Sequence, residues 1–125
     1  MENGYNISII ESSKELTKVE RVKFKDTSDA LKLDEISKQG EVEFDVDFYL
    51  LLQVHNDSAK GGNNDYRQLV IVDTDGTKYC TGSENFIRNF KSIAEELDGE
   101  EYRIKVIRRP SKNFSGKEFL TCAIA

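Results

Sequence analysis

Eight residues, Glu41-Val-Glu-Phe-Asp-Val-Asp-Phe48, constrain this chain more than any other stretch. Apolar and acidic residues alternate strictly, which puts Val42, Phe44, Val46 and Phe48 on one face and four carboxylates on the other. A period of two is the mark of a strand with one buried face. The apolar run continues through Leu52 to Val54, so this strand is long, or bends where its pattern changes. Spread along a strand face, the carboxylates read as a solvated outer surface rather than a metal cluster.

The elements that follow are bounded by clear turn chemistry. His55 to Asp65 is a loop, with a Gly-Gly pair among turn formers. Tyr66 to Val72 reads as a second strand, Asp73-Thr-Asp-Gly76 as a tight turn, and Thr77 to Cys80 as the returning third strand. The Asp-x-Asp-Gly pattern is no calcium loop, because the closing bidentate Glu is missing. Thr81-Gly-Ser-Glu84 offers a capping box, with Ser83 as an alternative cap. A helix of about residues 84 to 97 then buries Phe86, Ile87, Phe90, Ile93, Ala94 and Leu97, and stops at Asp98-Gly99. Tyr102 to Ile107 is a fourth strand and Glu118 to Ile124 a fifth, joined by a loop from Arg108 to Gly116.

Residues 1–40 carry weaker signals. Lys18 to Lys25 alternates imperfectly and suggests an edge strand, while Ala30 to Ile36 suggests a short helix ending before Gly40. The chain is therefore one domain, 1–125, made of an N-terminal extension (1–40) and a β-rich body (41–125). Its length of 125 residues is enough for a proper core.

Strand, long loop, strand, tight turn, strand, helix, strand, loop, strand is the order of a five-stranded OB-fold-like barrel with its helix between strands three and four. The expected class is mainly β (α+β). In such a barrel the first and last long loops flank a face that takes oligonucleotides or oligosaccharides. The second of those loops stands out. The whole chain has net charge −5, yet Tyr102 to Lys117 holds six basic residues and no acid, interleaved with aromatics. Phosphates need cations along a groove and unstacked bases need π-faces, so the chemistry fits single-stranded nucleic acid. The candidate binding residues are Arg67, Lys78, Tyr79, Arg103, Lys105, Arg108, Arg109, Lys112, Phe114 and Lys117, with Tyr66 and Tyr102 as further platforms. Glu41 to Asp47 would lie on the far face, keeping the protein soluble without opposing the groove.

DTDGTKYCTGSENFIRNFKSI, followed by EYRIKVIRRPSKNFSGKEFLTC, resembles the small single-stranded-DNA-binding proteins of phages and mobile elements of Gram-positive bacteria. Thr81, Ser83, Phe86 and Phe90 match that group's helix start. Ser111, Lys112, Gly116, Lys117, Phe119, Thr121 and Cys122 match its terminal strand, with Asn113-Phe114-Ser115 lengthening the loop. The resemblance implies a non-enzymatic accessory that coats single strands during replication or recombination, alongside replication or recombination proteins. The chain ends at Cys122-Ala-Ile-Ala125 without an acidic tail, which puts tail-mediated recruitment in doubt.

Other classes have less behind them. His55, Asp57 and Ser58 are too close in sequence to be presumed a triad, and no phosphate loop, Rossmann glycine pattern, metal motif or cofactor signature is present. Cys80 and Cys122 read as buried free thiols, which with the absence of a signal peptide or membrane-length apolar run points to the cytoplasm. An interaction module that modulates a host or phage replication enzyme is the alternative function. DNA against RNA stays open, and so does a homodimer through the first forty residues.

Overall fold

The computed structural model describes residues 5–56, 65–110 and 118–125, with side chains described for 7–55, 65–109 and 118–125. The N-terminal extension holds four elements: β1 (Tyr5–Ser12), α1 (Lys18–Lys25), β2 (Leu31–Lys32) and α2 (Leu33–Ile36). Where an edge strand is expected over Lys18 to Lys25, the chain is helical. Thr17 Oγ1 accepts from the Glu20 N–H at 3.1 Å and the Glu20 carboxylate accepts from the Thr17 N–H at 2.9 Å. That reciprocal capping box fixes the first turn, and it outweighs the imperfect alternation. The expected short helix shrinks to the single turn of α2, because Leu31–Lys32 pairs parallel to a later strand.

The body contains β3 (Val42–Asn56), β4 (Asp65–Asp73), β5 (Lys78–Thr81), α3 (Glu84–Glu96), β6 (Tyr102–Pro110) and β7 (Glu118–Ile124). Asp73 Oδ1 holds the β4–β5 turn by accepting the N–H groups of Asp75 and Thr77, with Gly76 at φ 88. Ser83 caps α3, its hydroxyl accepting the Phe86 N–H at 3.3 Å. Phe86, Ile87, Phe90 and Ala94 are buried as the helical spacing predicts, whereas Ile93 and Leu97 are only half-buried.

The strands form one curled, half-barrel sheet in the order β2-β5-β4-β3-β6-β7, with β1 also on β3. β3 organises it. Val42 to Val46 pairs with β6, and the stretch from Leu50 pairs with β1 on the same edge. The opposite edge carries β4 from Val46 to His55. The register slips between Val46 and Phe48, so a bulge at Asp47 turns Phe48 to the opposite face from Val46. The expectation of Val42, Phe44, Val46 and Phe48 on one face therefore fails at its last member.

The bulge creates two apolar layers. Phe44, Val46, Tyr49 and Leu51 face an inner core with Leu69, Ile71, Phe86, Phe90, Ile104 and Leu120. Phe48, Leu50 and Leu52 join Val70, Val72 and Cys80 in an outer core, capped by Phe24 of α1 at 5.1 Å ring to ring with Phe48. Among the described residues, β5 and β7 do not pair with each other. The N-terminal extension spans that gap instead. Thr81 Oγ1 donates to the Asp34 carboxylate at 2.8 Å, Arg108 Nη1 reaches the Asp34 carbonyl at 3.2 Å, and Leu33 is fully buried between them. Among the described residues, no helix is long and apolar enough to cross a membrane.

Candidate nucleic-acid interface

β4 and β5 were expected to contribute Arg67, Lys78 and Tyr79. The outer face of these strands is apolar, and α1 with the segment after it lies over it. Lys78 is 8% exposed there. Its ammonium donates to the Lys23 and Asp26 carbonyls at 3.2 and 2.9 Å and lies 2.6 Å from the Asp29 carboxylate. Those three partners use its donors, so Lys78 is a clasp for the extension and not a phosphate ligand.

Tyr79 turns inward. Its ring stacks on Phe44 with centroids 4.1 Å apart, and its hydroxyl donates to Asp73 at 3.2 Å. Burial and the Asp73 charge push its phenol up to about 12. One ring face is thus taken by Phe44 in the core. Tyr102, half-buried against Phe90, is likewise core, and burial pushes its phenol up to about 12. Arg67 forms a 2.6 Å pair with Glu84, and that hydrogen bond holds the Glu84 carboxyl below its ordinary value.

The acids of β3 are not on a far face. The ladder sets Glu43 against Lys105 and Asp45 against Arg103. Arg103 Nε donates to Glu43 at 3.2 Å and Nη1 lies 3.3 Å from Asp45. At this end of β6 the field is strongly negative. A cleft of about 860 Å³ between the Asp47 bulge and the α3–β6 turn is lined by Asp45, Asp47, Glu95, Asp98, Glu100 and Glu101, with no basic residue. A phosphate chain is repelled there.

The opposite end of β6 differs. Arg108 is on the inner side, held by Glu118 at 2.9 Å and by Ser37 at 2.9 Å, and is spent on structure. Lys105, Ile107 and Arg109 alternate onto the outer face, where Lys105 and Arg109 are exposed. Arg109 is paired across the ladder with Phe119, which is half-exposed. Cation and aromatic stand side by side near the end of the β6–β7 ladder, which extends through Arg108, expected as loop, to Pro110. Lys112, Phe114 and Lys117 lie outside the described residues, as does most of the His55–Asp65 loop. Near that first loop, Tyr66 is 44% exposed beside Arg67.

Phe119 was not among the candidate residues. Its partnership with Arg109 depends on the β6–β7 register, which a ten-residue separation in sequence does not announce. Both cysteines are buried and free, and burial pushes the Cys122 thiol up to about 12. His55 Nδ1 lies 2.5 Å from Asp65, while Asp57 and Ser58 fall outside the described residues. No family model, curated protein or solved structure matches the chain.

Proposed function

We propose that this protein binds single-stranded DNA with little sequence preference, as a coat for exposed strands during phage or mobile-element replication or recombination. The observation that carries the reading is the cross-strand pair of exposed Arg109 and half-exposed Phe119, next in the chain to the segment that bears Lys112, Phe114 and Lys117. A cation for phosphate next to a π-face for a base is the minimal unit of such a surface. The connectivity supports it. β3 pairs with both β4 and β6, β4 with β5, and β6 with β7, the ladder pattern of a partly open five-stranded OB-like barrel. The usable face is displaced from the one such barrels offer on their second and third strands, because the extension covers it here. In this reading the bound strand runs over the outer side of β6–β7, away from the acidic cleft.

Titration of labelled poly-dT, duplex DNA and poly-U at two salt concentrations tests this. Single strands should bind well above duplex and weaken steeply with salt. Equal affinity for duplex points to a bare phosphate patch. No salt-dependent binding to any of them favours the interaction-module reading, for which the ion pairing of Arg67, Arg103 and Arg108 already speaks.

A further inference from the structure

β1 pairs with β3 and with nothing else, so among the described residues one of its edges is open. The hydrogen-bond directions say which groups that edge presents. The Ser13 N–H donates to the Tyr49 carbonyl at 2.9 Å, and donors along an antiparallel ladder alternate. Leu51, Gln53 and His55 therefore turn their backbone groups toward β1. The register sets Gln53 against Ser8 and His55 against Asn6, so the N–H and C=O groups of Tyr5, Ile7 and Ile9 point outward.

The chemistry of this edge is unusual for the chain. A third of all residues are charged (33%), yet Tyr5-Asn-Ile-Ser-Ile-Ile10 has none, and it contains neither Lys nor Pro. Those are the residues with which natural edge strands discourage further pairing. Among the described residues, the only blunting feature, a register slip between Ile9 and Glu11, comes after the regular stretch, and Ile10 there is 51% exposed. An open, uncharged, isoleucine-rich edge is a template for another strand.

We propose that this edge pairs antiparallel with β1 of a second copy of the chain, forming a two-fold dimer with a continuous sheet. The same strand fits because alignment centred on Ile7 sets Tyr5 against Ile9 of the partner subunit and makes about six backbone hydrogen bonds. It opposes no like charges. The nearest charge, Glu11, lies past the paired stretch and is already held by Lys91 at 2.5 Å. In a chain of net −5, this is a surface on which two copies meet without repulsion. The inference is independent of the nucleic-acid reading, and its test contains no nucleic acid.

Sedimentation velocity of the full chain over a wide concentration range should show a monomer passing to a dimer. Ser8 is exposed, so Ser8→Lys leaves folding intact while placing two ammonium groups diagonally across the two-fold axis. It should raise the dissociation constant on the order of tenfold with an unchanged melting temperature. Amide exchange of the wild type supplies a second readout should that variant fold poorly. Ile7 and Ile9 amides should become protected as concentration rises, while the Ser8 amide, bonded to β3, is protected throughout. A monomer at every concentration overturns the proposal. So does a dimer in which the Ile7 and Ile9 amides exchange freely, or one bound by a strand other than β1.

Discussion

Glu43 faces Lys105 directly across the β3–β6 ladder, and its carboxylate also accepts a 3.2 Å bond from Arg103 Nε. One acid thus pairs with Arg103 and stands beside Lys105. The positive charge of that strand is sorted along its length: Arg103 is paired with acids near its start, Arg108 is held on the inner side, and Arg109 is exposed near Pro110.

Removing the paired acids should extend the binding surface. Glu43→Gln with Asp45→Asn frees Arg103 and removes two negative charges from the strand beside Lys105, and single-strand affinity at low salt should rise. Each new phosphate contact should steepen the dependence of log K on log salt by roughly 0.7. Fluorescence titration with poly-dT at several salt concentrations measures both. An unchanged slope would mean that the strand does not run along β6.

At the other end the aromatic and the cation should fail differently. Phe119→Ala should cost on the order of 1–3 kcal/mol of binding with the salt slope nearly intact, and Phe114→Ala should behave likewise. Arg109→Glu combined with Lys112→Glu should weaken binding and flatten the slope by about one to two units. Identical responses from both kinds of change would show a loss of fold rather than of contacts, which circular dichroism separates.

Lys78 tests the clasp. Lys78→Met removes the donor that satisfies the Lys23 and Asp26 carbonyls and leaves Asp29 without its partner. Stability should fall by about 1–3 kcal/mol, read from urea unfolding, while poly-dT affinity per folded molecule stays unchanged. A selective loss of affinity instead would return Lys78 to the binding surface.

Acid should loosen the β1–α3 contact. Burial acts to raise the Glu11 carboxyl, but hydrogen bonds from Lys91 and Tyr49 outweigh it and hold it below its unfolded value of 4.5. A depressed carboxyl contributes stability that is complete above 4.5 and is lost as pH falls through the folded value. The Glu84 carboxyl, lowered by Arg67, adds in the same direction. Thermal melts from neutrality down to about pH 3 should show a decline that Glu11→Gln makes shallower. Equal declines would remove Glu11 from the account.

What could be read in advance follows from where the determining contacts lie. β3 to β7 and α3 are written in short-range signals: alternation, an Asp-x-Asp-Gly turn, a Ser83 cap and a Gly99 stop. The extension is not. α1 buries only Phe24 among its eight residues, so its apolar spacing is faint, and only the Thr17-to-Glu20 capping box announces it. Lys78 looked like a free cation because its partners, Lys23, Asp26 and Asp29, are distant in sequence. The reversal at Phe48 is equally hidden, since an extra residue in one strand has meaning only against a partner. Arg109 was legible as exposed charge, while its neighbour Phe119 required the register.

The bulge at Asp47 has a consequence for how the molecule comes apart. Because β3 turns Tyr49 and Leu51 to one layer and Phe48 and Leu50 to the other, neither layer can be released without straightening the strand that both share. Each layer happens to contain one thiol, Cys122 in the first and Cys80 in the second. Unfolding should therefore be a single cooperative event, in which both sulfurs become open to an alkylating reagent at one common rate. Two separate rates would mean that the extension with its outer layer peels off first, as a subglobal unit with a stability of its own.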